Sequence, residues 1–299
     1  MKRLILTALA LMTVAVSQAQ FGDESVKLRL WDNASAPHSN GLEESSVSVD
    51  AQRVALNTVT ELFVYAPDEA HRTDMAVVVC PGGGYGYLSL ENEGSKVAKW
   101  LVANGITAAV LKYRMPNRHP EVPREDAEQA IRIMRGETKV SPEMDRYVCR
   151  HVGVAGFSAG GHLAAYVSTM GVVRPDFTIL FYPVITGEEG LCHAGSFDNL
   201  LGRGRTAQLT AAYSLENRVD AKTPPAIILV SDDDGGVPPV SSTRYYDALK
   251  RYGTAASLHI YPSGGHGWGM RDEFAWSAEW RAAVLDWLSR LTKQERRNQ

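Results

Sequence analysis

Cysteine is scarce in this chain: three residues, Cys80, Cys149 and Cys192, among 299. An odd count leaves at least one thiol unpaired, so disulfides cannot be the main support of the fold. No C-x-x-C pair and no Cys/His metal spacing occurs, so no metal centre is expected. Positive charge is not in excess. Lys plus Arg number 31 against 34 Asp plus Glu, a net charge of −3. That is no basis for neutralising a phosphate backbone, and no nucleic-acid partner is expected. Internal repeats and low-complexity tracts are missing. Beyond the first segment, no apolar run is long enough to cross a bilayer.

A core-forming composition remains, with 44% hydrophobic and 22% charged residues. This is ordinary for a globular protein, and the length supplies a sizeable core. Lys2 and Arg3 precede an apolar run at 4–16, followed by Ser17-Gln18-Ala19. A positive start, an apolar middle and small residues at the exit read as a secretory signal peptide, residues 1–19, cleaved after Ala19. The run of about 13 residues is short of the ~20 a spanning helix needs. The expectation is therefore an exported protein, periplasmic or extracellular, with no membrane span once the signal is removed. Residues 20–58 are polar and irregular, and they read as an N-terminal extension packed on the surface of the domain. Residues 293–299 read as a polar tail.

Between them, at 59–292, apolar strands alternate with amphipathic helices. Strands are predicted at 59–65, 75–80, 106–113, 152–155, 177–182, 226–231 and 256–261. Helices are predicted at 91–104, 123–135, 159–170, 240–251 and 273–291. The run M-A-V-V-V-C at 75–80 is apolar throughout, as suits a strand buried on both faces. The alternation predicts an α/β fold with a mostly parallel central sheet and helices on both faces. Residues 183–222 break the rhythm and read as a long loop, a candidate binding element or lid.

The chemistry centres on G-F-S-A-G at 156–160. Ser158 lies between a short apolar strand and a small-residue helix, so the turn is sharp and lifts its hydroxyl clear of the sheet. A nucleophilic serine needs a base, and the base needs an orienting acid. In S-G-G-H-G-W-G at 263–269, His266 follows the last strand, at the carboxyl edge of the sheet where α/β sites form. His162 reads as a packed helix residue and His259 as a strand residue. The acid should follow the strand at 226–231, where Asp232, Asp233 and Asp234 are adjacent. Asp234 is favoured because the turn G-G-V-P behind it can aim it at His266. Asp233 stays open, since either of the other two could instead hold the loop by accepting backbone N–H groups. Ala159 N–H is the candidate for one oxyanion donor, and the glycines of C-P-G-G-G-Y at 80–85, which let the backbone approach a substrate oxygen closely, for the other. That loop lacks the lysine of a phosphate-binding loop. Tyr85, His193 and Trp268 are candidate substrate contacts, with a packing role equally open for Trp268. Trp280 and Trp287 read as core of the last helix.

These motifs in this order resemble the α/β-hydrolase superfamily, and more closely the bacterial acetylxylan-esterase-like carbohydrate esterases. The resemblance extends through L-K-Y-R at 111–114, D-A-E-Q-A-I-R at 126–132, P-D-F-T-I-L-F-Y-P-V at 175–184, H-A-G-S-F-D-N-L-L-G at 193–202 and T-P-P-A at 223–226. It covers residues 28–290. It implies Ser158 as nucleophile, His266 as base and Asp234 as acid, with Gly83, Gly84 and Ala159 as oxyanion donors. It implies a serine esterase that removes acetyl groups from an acylated plant saccharide, with no cofactor. The chain departs from the family in having Ser231 and three Asp where relatives usually show His or Gly ahead of an Asp pair. Feruloyl and other aryl or short-chain esters are the alternative substrates. A serine peptidase of the exopeptidase kind would need a gating domain for which the chain lacks length. A non-catalytic hydrolase-fold binding protein would lack one of the motifs. A glycosidase would need two carboxylates paired across a sugar cleft, and nothing in the sequence singles out such a pair.

Overall fold

The computed structural model describes residues 23–43, 46–50 and 52–298, with side chains described through residue 291. Residues 1–19, where a signal peptide is expected, lie outside the described residues. Eight strands form the main sheet: β1 (Val26–Asp32), β4 (Val59–Tyr65), β5 (Met75–Cys80), β7 (Thr107–Lys112), β8 (His151–Phe157), β9 (Thr178–Phe181), β10 (Ala226–Ser231) and β11 (Ala256–Tyr261). Their spatial order is β1-β4-β7-β5-β8-β9-β10-β11. β1, β4 and β7 pair antiparallel, and every pairing from β7 to β11 is parallel. A parallel sheet needs a covering element between consecutive strands, and the amphipathic helices supply it. Every residue of β5, β9 and β10 is buried, so both faces of the sheet are covered.

The crossover helices are α1 (Lys96–Ala103), α2 (Glu121–Met134), α3 (Ala159–Met170) and α6 (Val240–Arg251), and α7 (Ser277–Asn298) follows the last strand. α1 and α7 meet through Trp100 and Trp280, edge to face at 4.9 Å, with Trp280 fully buried. α2 packs on α3. Trp287 is only partly buried and meets Phe177 edge to face. α1 is preceded by a π-helical turn at Glu91–Ser95, so the helix predicted at 91–104 is in fact two conformations.

Three segments differ from the sequence reading. The extension at 20–58 is not irregular. It supplies β1 to the main sheet, and β2 (Val47–Ser48) and β3 (Arg53–Ala55) to a small antiparallel sheet with β6 (Tyr87–Ser89). The division at 58/59 is therefore crossed by strand pairing. The extension is also fastened from below: Arg114 and Asp126 form an ion pair at 2.7 Å with no exposed side-chain surface. Asp126 accepts the Trp31 indole N–H, and Arg114 donates to His38 O. Residues 183–222 contain α4 (Ala194–Leu201) and α5 (Ala207–Ala212), capped by His193 and Thr206. The tail at 293–298 continues α7.

Candidate active site

The loops that leave the carboxyl ends of β5, β8, β10 and β11 converge on one cleft. Ser158 sits between β8 and α3 with φ 52° and ψ −117°. A positive φ is uncommon outside glycine and is sustained only where the surroundings fix it. They do so here. Ser158 N–H donates to Phe181 O at 3.0 Å, and Ser158 O accepts from His162 N–H at 3.1 Å and Val184 N–H at 3.0 Å. The crossing has no room for side chains. A Cβ on Gly156 would lie 2.2 Å from Gly160 O, and one on Gly160 would lie 2.1 Å from Cys80 O.

His266 Nε2 is 2.8 Å from Ser158 Oγ, and its Nδ1 is 2.7 Å from Asp234 Oδ2. The other Asp234 oxygen accepts N–H from Gly236 at 2.9 Å and Val237 at 2.8 Å. The Asp234 side chain has no exposed surface. A proton held on Nδ1 by this carboxylate leaves Nε2 as the acceptor that faces Ser158. Asp233 is turned elsewhere: its carboxylate accepts Gly265 N–H at 2.8 Å and Gly264 N–H at 3.2 Å, fastening the loop that carries His266. These backbone donors hold the Asp233 carboxyl below its ordinary range. Asp232 is exposed.

Gly83 and Gly84 line the cleft beside Ser158, His193 and His266. Gly83 has φ 135°, and a Cβ there would lie 2.1 Å from Tyr87 O, so only glycine fits. Gly83 O accepts N–H from Gly86 and Tyr87, which closes the turn. Among the described residues, the N–H groups of Gly83, Gly84 and Ala159 have no hydrogen-bond acceptor. Ala159 begins α3, where the helix dipole favours negative charge. Such donors suit an oxygen that becomes anionic.

The candidate substrate contacts divide. His193 lines the cleft, with its Nδ1 accepting Ser196 N–H at 3.2 Å to cap α4. Burial and the neighbouring His266 lower its pKa. Tyr85 and Trp268 do not present a face to the cleft. Tyr85 is 2% exposed, and its hydroxyl lies 3.0 Å from His162 Nδ1 inside the core. Trp268 is 2% exposed and stacks on Phe274 at 4.2 Å. Apolar packing has claimed both rings.

Several cleft residues were not found from sequence. Asp50, Gln52 and Arg53 reach the cleft from the N-terminal extension, and Asn199 reaches it from α4, donating to Gly84 O at 2.8 Å. Arg53 pairs with Asp50 and covers the Tyr87 ring at 5.3 Å. Asn92 and Glu93 lie in the π-helical turn, and Tyr182 follows β9. The acidic start E-N-E looks like an ordinary solvated first turn, so only the fold reveals that Glu93 is buried. The cleft encloses about 770 Å³, ample for a small ligand.

The model of the prolyl oligopeptidase family matches residues 143–295. An acetylxylan esterase from Xylanibacter ruminicola is 40% identical over 225 residues, which is 72% of this chain and 45% of that protein. An endo-1,4-beta-xylanase B from Butyrivibrio fibrisolvens is 31% identical over 242 residues, 73% of this chain and 36% of that protein. The chain thus spans less than half the length of these curated relatives. Among solved structures, an acetyl ester-xyloside bifunctional hydrolase from Caldicellulosiruptor lactoaceticus is 32% identical, with a TM-score of 0.73 over 90% of this chain and 97% of that one.

Proposed function

Because the chain belongs to the prolyl oligopeptidase family of α/β hydrolases and groups with the acetylxylan-esterase-like enzymes, we propose that it is an exported serine esterase that removes acetyl groups from plant polysaccharide or oligosaccharide. One observation carries the reading: Ser158, His266 and Asp234 are joined by hydrogen bonds of 2.8 and 2.7 Å at the floor of an open cleft.

Ser158 Oγ attacks the acetyl carbonyl while His266 Nε2 takes the hydroxyl proton. Asp234 keeps Nδ1 protonated and stabilises the imidazolium that forms. The carbonyl oxygen becomes anionic and is received by N–H groups of Ala159 and of the Gly83–Gly84 loop. Collapse breaks the bond to the sugar oxygen, which leaves with the proton from His266. Water, deprotonated by the same nitrogen, then releases acetate from Ser158. This sequence draws on side chains and backbone alone.

The cleft wall suits a saccharide leaving group. Asp50, Gln52, Arg53, Tyr87, His193 and Asn199 offer donors, acceptors and one aromatic ring around the serine. Xylosidic cleavage is not favoured. Of the two carboxylates in the cleft, Asp50 is paired with Arg53 and Glu93 is buried, so they do not flank a sugar as a glycosidase pair does.

The acyl group is tested by comparing kcat/KM for acetylated xylo-oligosaccharides and for methyl ferulate. The expected result is acetyl preference by at least about tenfold, from the fit of a small acyl group beside the Gly83–Gly84 turn. Ferulate preference would move the protein to the aryl esterases, and hydrolysis of peptide amides above both would contradict the reading.

A further inference from the structure

Beneath the cleft lies a carboxylate that the hydrolytic steps do not use. Glu93 is 5% exposed. Its Oε2 accepts Gly82 N–H at 2.8 Å, and its Oε1 accepts the Tyr182 hydroxyl at 2.7 Å. Tyr182 oxygen in turn accepts Gly269 N–H at 2.9 Å. In this relay both Glu93 oxygens accept, one from a backbone N–H and one from a hydroxyl that itself accepts a backbone N–H.

The three partners belong to the three segments that must be in register for ester hydrolysis. Gly82 immediately precedes the Gly83–Gly84 turn. Gly269 closes the loop of His266. Tyr182 leaves β9 with φ 37°, and its ring meets the His266 ring edge to face at 4.8 Å. Gly82 itself is sandwiched: a Cβ on it would lie 2.7 Å from Glu93 Oε2 and 3.0 Å from Ser158 Cβ. The adjoining Asn92 repeats the connection, accepting Met270 N–H on its Oδ1 at 3.1 Å. The π-helical turn at Glu91–Ser95 sets both side chains against the two loops, and such turns recur at functional sites.

Packing alone does not explain an acid here. Burial disfavours a carboxylate and raises its pKa; the hydrogen bonds from Tyr182 and Gly82, with the nearby His266 and Arg271, act against that. An apolar side chain would fill the space without the desolvation cost. We propose that Glu93 is a positioning residue: by accepting Gly82 N–H on one oxygen and, through Tyr182, Gly269 N–H on the other, it fixes the oxyanion turn and the His266 loop in one register.

The proposal rests on the esterase reading, so the test counts working serines separately from turnover. Wild type, Glu93→Gln, Tyr182→Phe and the double variant are titrated with diethyl p-nitrophenyl phosphate, whose p-nitrophenol burst counts reactive Ser158. Turnover of p-nitrophenyl acetate is then expressed per titrated site, beside a thermal melt. The amide of Glu93→Gln can accept only one of the two donors, and Tyr182→Phe removes only the hydroxyl. Each single variant is expected to keep a titratable serine, to lose about ten- to hundred-fold in kcat per site, and to hold KM within about threefold, as displaced but intact machinery does. The double variant, in which no contact joins residue 93 to the His266 loop through Tyr182, is expected to be at least as slow as the slower single. A kcat per site within twofold of wild type overturns the proposal, whatever the melting temperature. A wild type that takes no label overturns the esterase reading and this proposal together. Should Glu93→Gln fail to fold, Tyr182→Phe decides by the same criteria.

Discussion

Asp234 reaches His266 from a side chain with no exposed surface, 2.7 Å from Nδ1, while its neighbour Asp233 reaches only the backbone of the loop on which His266 stands. Adjacent carboxylates thus hold the ring and the loop respectively. Asp234→Asn puts an amide where the Nδ1 proton needs an acceptor, and it is expected to lower kcat by on the order of 10⁴-fold. Asp233→Asn weakens two loop contacts and is expected to cost about tenfold. Steady-state kinetics on an acetyl ester checks both, and a larger loss in Asp233→Asn would reverse the assignment.

The ion pair of Arg114 and Asp126 fastens the N-terminal extension to α2. Asp126→Asn leaves a fully buried guanidinium without its counter-charge. Unfolding in urea should show a loss of about 3–5 kcal/mol. A loss under about 1 kcal/mol would mean that the extension folds independently of this contact.

His162 should make stability sensitive to acid. Burial lowers its pKa to about 4, and its ring is held between the Tyr85 hydroxyl and Tyr213 O. The unfolded chain binds this proton near the ordinary histidine value of about 6.5, whereas the folded chain resists it until pH 4. Unfolding therefore takes up a proton in this window, and stability falls as pH drops from 6.5 toward 4. From pH 7 to pH 5 this one group accounts for about 2 kcal/mol. In His162→Gln, which can still meet both partners, that part of the decline should vanish; an unchanged pH dependence would show that other groups carry it.

The sequence made the scaffold legible wherever one force dominated. The run at 75–80 is apolar throughout, and β5 occupies those residues. The turn at Ser158 was legible because glycines at 156 and 160 leave no other way to cross from strand to helix so closely. The base loop was legible from its glycines. Residues 26–32 were not read as a strand, because V-K-L-R-L-W-D carries its polar residues to a half-exposed sheet edge and its pairing partner lies about thirty residues away. Tyr85 and Trp268 stand next to site residues in the sequence, which leaves contact and packing both open, and the His162 hydrogen bond and the stack on Phe274 hold their rings in the core. Glu93 was invisible for the opposite reason: it resembles solvent-facing helix, and only the convergence of three loops gives it partners.

The central claim is that ester hydrolysis passes through Ser158. Acetate release from acetylated xylan should be followed for the wild-type protein and for Ser158→Ala side by side, with melting temperatures to establish that both are folded. The account predicts acetate from the wild type and a loss of at least about 10⁴-fold in the variant. Acetate release that survives the substitution, or a folded wild type that releases none, would contradict it.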